Sequence, residues 1–174
     1  MTQINISRAV GINATPDQIR PFLTDFRSWR DWSPLDELDP ALHREYRGAE
    51  TGVGAVYEWS GNKSTGSGVM TITAVTEDHV QIHLESHEPF KGSSDHTFSL
   101  DPVPGKTGPG PKETTEVTWT MVGFPQGVRG LVAKLFGRLE PRMAEAITQG
   151  LLNLKDRMEI EPPVGGTERA GASL

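Results

Sequence analysis

The feature that most constrains this chain is an apolar stripe near its C-terminus. Val128, Leu131, Val132, Leu135, Phe136, Leu139, Met143, Ile147, Leu151, Leu154 and Met158 recur every three or four residues. That spacing is one face of an α-helix. Pro141 interrupts the run and would remove a backbone hydrogen bond. The pattern therefore predicts a short helix to about Leu139 and a long one from about Glu140 to Glu159. Beyond Ile160 the sequence turns to Pro, Gly and small polar residues, which predicts a disordered tail over 160–174 behind a domain spanning 1–159.

What precedes the stripe is a series of short alternating segments. Ile4, Ile6, Val10 and Ile12 share one parity, so residues 3–12 read as a strand, with Arg8 breaking its apolar face. Thr15-Pro16-Asp17-Gln18 then has the makings of a helix start: Thr15 as N-cap, Pro16 as first helical residue, Gln18 bonding back. Ile19, Phe22, Leu23 and Phe26 follow at helical spacing, and a second short helix fits 28–32, with Trp29 and Trp32 on one side. Ser33-Pro34 stops it, and Asp36, Glu37 and Asp39 read as a solvated acidic loop. Five or six further strands are expected, at roughly 42–47, 54–60, 66–75, 79–86, 94–101 and 114–121, each bounded by turn residues. The Gly- and Pro-rich stretch 102–113 reads as a mobile surface loop. Consecutive strands joined by short turns make an antiparallel sheet. Its apolar face needs a cover, and only the long C-terminal helix is large enough.

Composition closes off several classes of function. The 174 residues include no Cys, which excludes a disulfide framework, a thiolate metal site and a cysteine nucleophile. A net charge of −6 argues against a nucleic-acid partner. No apolar run approaches the ~20 residues of a membrane helix, so no membrane insertion is expected. The N-terminal residues lack the basic-then-apolar pattern of a secretory signal. These features predict a soluble, cytoplasmic single domain.

The order of elements and several segments resemble a known superfamily. They are Ile12-Asn13-Ala14-Thr15-Pro16-Asp17-Gln18-Ile19, Asp25-Phe26-Arg27-Ser28-Trp29-Arg30-Asp31-Trp32-Ser33-Pro34, and Gly52-Val53-Gly54-Ala55-Val56-Tyr57-Glu58-Trp59-Ser60-Gly61-Asn62. Thr115-Glu116-Val117-Thr118-Trp119 and Gly150-Leu151-Leu152-Asn153-Leu154-Lys155 complete the set. Together they resemble the START-like, helix-grip superfamily, also called SRPBCC, in its polyketide cyclase/dehydratase-like branch, over roughly residues 3–158. The resemblance implies an α+β helix-grip fold: a curved antiparallel sheet of about seven strands around a long C-terminal helix, with two short helices after the first strand. It also implies an apolar cavity for a small hydrophobic ligand. Members include enzymes, carriers and receptors, so the fold alone does not choose an activity.

Strand parity nominates the residues facing that cavity. They are Ala55, Tyr57 and Trp59; Gly68, Met70 and Ile72; Val80, Ile82 and Leu84; His96, Phe98 and Leu100; and Val117, Trp119 and Met121. Met143, Ile147, Leu151 and Leu154 of the helix stand opposite. From these, Tyr57, Trp59, Met70, Ile72, Ile82, Leu84, His96, Phe98, Trp119, Met121, Met143, Ile147 and Leu151 are the candidate ligand-binding residues. The plain alternative is that they fill a core. Gly150 falls on the helix's apolar face, giving clearance either for a ligand or for tight packing on the sheet. His96 and Tyr57 are the candidate catalytic groups, and Tyr57, His96 and Trp119 the candidate polar handles.

Other chemistry finds little support. His79, His83 and His87 are spaced by four, but their segment alternates as a strand, which sets His83 and His87 about 13 Å apart at ~3.3 Å per residue. One metal cannot hold both, so no metal site is expected. Glu58, Glu85, Asp95 and Glu116 take the outward parity, leaving no inward carboxylate pair for acid/base work. Gly52-Val53-Gly54 and Gly61-Asn62-Lys63-Ser64 lie in strand–turn–strand contexts, not at the strand-to-helix junctions of nucleotide loops, and no cofactor is expected. Three functions remain: carriage of a small hydrophobic or aromatic molecule, a polyketide cyclase/dehydratase-like reaction in the same cavity, or a module acting through a partner. In the third, the acidic 31–50 region and the net-basic helix would serve contact with a partner or a homodimer.

Overall fold

The computed structural model describes residues 3–104, 113–126 and 129–160, without the side chains of 36, 129–137 and 160. The expected tail beyond Ile160, the interior of the Gly/Pro loop, Val128 and the side chains of the stripe residues Leu131, Val132, Leu135 and Phe136 lie outside what is described. Seven strands form one antiparallel sheet: β1 (Ile4–Ile12), β2 (His43–Gly48), β3 (Ala55–Ser60), β4 (Ser67–Val75), β5 (His79–Glu88), β6 (Gly92–Val103) and β7 (Thr114–Pro125). Their order is β1-β7-β6-β5-β4-β3-β2, so β1 and β2 are the two edges. Register shifts at Ser67/Gly68 and Ile72/Ala74 bend the β4–β5 pair, as bulges do. The sheet curves around its apolar face.

Three short helical pieces follow β1. α1 (Pro16–Thr24) begins with the expected capping box: Gln18 N donates to Thr15 Oγ1 at 3.2 Å and Thr15 N to Gln18 Oε1 at 2.9 Å. It buries Ile19 and Leu23, one turn apart. A 3-10 turn (Ser28–Asp31) then buries Trp29 and delivers Trp32 into the core. The acidic segment is not simply a solvated loop. It forms one turn of helix, α2 (Leu35–Leu38). Asp39 after it is buried, its carboxylate accepting from Asn62 N at 2.7 Å and Ala41 N at 3.0 Å. That carboxylate holds the β3–β4 turn against α2.

Pro141 does not split the C-terminal helix. α3 runs unbroken over Arg129–Ile160. Losing one backbone bond is a local cost, and α3 is anchored beyond the proline on a long contact surface. Ile147, Leu151 and Leu154 are buried in the core. Each such side chain contributes roughly 1.5–3 kcal/mol when removed from water. Polar ties fasten the helix's last turns to the rest. Lys155 Nζ donates to Gly11 O at 2.6 Å, Glu159 Oε1 accepts from Asn13 N at 3.0 Å, and Asn153 Nδ2 donates to Trp32 O at 3.1 Å. Arg157 reaches Asp31 at 3.5 Å. Part of the expected acidic-to-basic complementarity is thus used within the chain.

Candidate functional site

The predicted residues lie on the inner face of the sheet or on α3. Tyr57, Trp59, Met70, Ile72, Ile82, His96, Phe98, Trp119, Met121, Ile147 and Leu151 are buried. Leu84 and Met143 are partly buried and pack against them. Parity found this face because antiparallel pairing keeps it in register: His96 lies opposite Ile82 and Met121, Phe98 opposite Val80 and Trp119.

Aromatic rings run as a band across this face. Phe98 and Trp119 are 4.7 Å apart between centroids, and Trp32 is 6.0 Å from Trp119. Trp29 lies 4.6 Å from Trp32 and 5.4 Å from Phe26, which reaches Tyr57 at 5.7 Å. Tyr57 stacks on Trp59 at 6.1 Å and on Tyr46 at 5.4 Å. Two glycines make room. A Cβ on Gly150 would come 3.0 Å from the Trp119 ring, and one on Gly68 only 2.4 Å from the Trp59 ring. Gly150 therefore serves the close approach of helix and sheet, and Gly68 lets the Trp59 indole lie across β4.

The polar atoms of the band sort into two groups. All four indoles donate within the protein: Trp29 to Leu23 O, Trp32 to Phe22 O, Trp59 to Thr65 O and Trp119 to His96 Nδ1 at 3.0 Å. An indole N–H can only donate, so His96 Nδ1 is the unprotonated nitrogen. Nε2 then carries the proton of the neutral ring and donates to Ser94 Oγ at 2.9 Å. Burial holds the ring neutral, pushing its pKa down to about 4. Both nitrogens of His96 are engaged, and so is the Trp119 handle. Ser94, which shares the parity of His96, is the partner that sequence reading missed.

The second group lies at the β2–β3 end. On β2, Arg44 and Tyr46 are half-buried while His43, Glu45 and Arg47 are exposed. Tyr46 pairs in register with Tyr57 and Arg44 with Trp59. Burial pushes the Tyr57 phenol up to about 12, with Tyr46 adding to the shift. Charge and a hydrogen bond from Arg44, and the charge of Arg30, pull it back. The Arg27 guanidinium sits 4.9 Å from the Tyr46 ring centre. The Tyr46 hydroxyl is buried and has no hydrogen-bond partner. An unmet buried hydroxyl costs about 1–3 kcal/mol. β2 was legible as a strand, but with both faces polar its parity did not declare which faced inward.

The outer face holds the expected histidines. His83 Nδ1 meets Asp95 at 2.7 Å, and His79 Nδ1 meets Asp78 at 2.9 Å. Among the described residues no cluster of three or more His, Asp or Glu is arranged to hold a metal, and no helix is long and apolar enough to cross a membrane. A surface cleft of about 240 Å³ between β1 and α3, lined by Asn5, Ile6, Arg8, Glu140, Pro141 and Ala144, includes no residue of the aromatic band.

With this geometry in view, comparison with known families is decisive on descent. Residues 3–159 match the family described as polyketide cyclase / dehydrase and lipid transport. The chain belongs to this family. Solved structures agree on the fold. A truncated norcoclaurine synthase from Thalictrum flavum aligns with a TM-score of 0.64 at 12% identity, covering 92% of this chain and 96% of that one. A START superfamily protein from Mycobacterium smegmatis gives 0.58 at 18%, covering 90% and 97%. The Aha1 dimer from Colwellia psychrerythraea gives 0.55 at 20%, covering 90% and 97%. At these identities they share the helix-grip fold of the START-like superfamily with this family member, and no more is carried over. No curated protein matches the chain.

Proposed function

We propose that this family member binds or carries a small hydrophobic or aromatic molecule on the face between the sheet and α3. The family description includes lipid transport, and the aromatic band offers the flat apolar contact such a ligand requires. One observation favours binding over catalysis: both nitrogens of His96 are engaged by Ser94 and Trp119. A general base must reach a substrate proton, and this ring would have to give up Trp119 first. Tyr57, its phenol raised to about 12, is a poor base near neutral pH.

The family description also includes cyclase and dehydrase, so a reaction on the same face is the second reading. It would depend on Tyr57 and Arg44. Titration with the neutral fluorescent arene N-phenyl-1-naphthylamine tests the first reading: saturable binding at one probe per chain is expected, and absence of binding contradicts it. Turnover of a polyketide-like thioester that Tyr57→Phe abolishes would favour the second.

A further inference from the structure

Among the described residues, Tyr46 has a buried hydroxyl with no hydrogen-bond partner. Its strand lies at an edge of the sheet, and its inward positions hold Arg44 and Tyr46. A strand that served only the core would carry β-branched or aromatic residues there, and Arg44 is neither. A phenol whose hydroxyl is buried without a partner is a standing cost, and native structures retain few of them. The Tyr46 phenol can donate its O–H or accept, and makes neither bond within the chain. Its surroundings are cationic. Arg27 covers the Tyr46 ring, Arg44 engages the Tyr57 hydroxyl, and Arg30 is near enough to favour a negative charge on Tyr57. Guanidinium groups only donate. A group arriving here is received by an O–H donor within a positive field.

We propose that Tyr46, Tyr57, Arg27 and Arg44 seat an acidic oxygen of the ligand, a carboxylate or enolate, so that the ligand class is an apolar molecule ending in one anionic oxygen group. This rests on the ligand-binding reading and extends it to the ligand's chemistry. The apolar body lies along the aromatic band, and the anionic end meets Tyr46 Oη–H. A charge-assisted bond of that kind is stronger than a neutral one. At the other end of the band His96, Ser94 and Trp119 satisfy one another, so the ligand's anionic end is assigned to Tyr46.

The test uses the full chain and two probes that share one arene. 8-Anilinonaphthalene-1-sulfonate carries an anionic oxygen group, and N-phenyl-1-naphthylamine lacks it. The sulfonate probe is expected to bind about ten-fold tighter or more, to be displaced by the neutral probe, and to lose most of that advantage in Tyr46→Phe while the neutral probe's affinity stays within about two-fold. Arg27→Gln, a change at an exposed residue, is expected to act in the same direction and decides the matter if Tyr46→Phe does not fold. Equal affinities, an unchanged ratio in the variants, or failure of the probes to compete would overturn the proposal and leave ligand binding intact. If neither probe binds, the ligand-binding reading falls and takes the proposal with it.

Discussion

The two ends of the aromatic band teach different things about the same face. Under α3, Trp119, His96 and Ser94 form a closed chain of hydrogen bonds, and Gly150 lets the helix press onto the Trp119 ring. At the β2–β3 end, Tyr46 and Tyr57 stack under guanidinium groups, and one hydroxyl is left without a partner. Both ends are aromatic and both contain buried polar atoms. Only the first has the hydrogen-bond satisfaction expected of a core. The contrast separates a satisfied polar cluster from an unsatisfied one on the same face, which burial alone could not do.

Leu151→Ala should be the most damaging change to the closed end. Its side chain is fully buried next to Gly150, and the truncation should cost about 2–5 kcal/mol in denaturant unfolding. A neutral outcome would mean that the α3 face is not packed as described.

Acid should come next. The folded His96 ring resists protonation until about pH 4, whereas an unfolded histidine takes its proton near 6.5. Its contribution is therefore complete above pH 6.5 and is lost as pH falls toward 4, by up to about 3 kcal/mol. The difference in stability between the wild type and His96→Leu should shrink over that window. A difference independent of pH would place a charged or solvated ring at this position.

At neutral pH, His96→Leu itself should cost about 1–3 kcal/mol, because it leaves the Trp119 N–H and the Ser94 hydroxyl without their partner. Tyr46→Phe should cost nothing and should stabilise the chain, by up to about 1–3 kcal/mol, since the hydroxyl it deletes is buried and bonds to nothing. If thermal melts show Tyr46→Phe to be as costly as His96→Leu, the two ends do not differ in kind.

How much of this was legible in the sequence follows the same division. Alternation and bounding turn residues together located all seven strands to within a few residues, and the Thr15–Gln18 capping box stood as read. The closed end was half visible: His96, Phe98 and Trp119 share an inward parity, but the bond between His96 and Trp119 joins residues 23 apart and depends on strand register. Pro141 misled, because helix propensity is local and the packing that carries α3 through it is not. Tyr46 and Arg44 were missed because periodicity detects apolar faces, and β2 alternates polar with polar. Trp29 and Trp32 were seen as neighbours on one turn, but their contact with Phe98 and Trp119 comes only from the chain's return over the sheet. What alternation cannot register is a polar group placed inward on a strand whose other face is also polar.

The central claim is that this face takes up a small apolar molecule. Native mass spectrometry of the full chain, as purified and again after incubation with excess N-phenyl-1-naphthylamine, tests it most directly. A one-to-one complex, either with a molecule carried through purification or with the added arene, is the predicted result. A bare chain in both samples would contradict it.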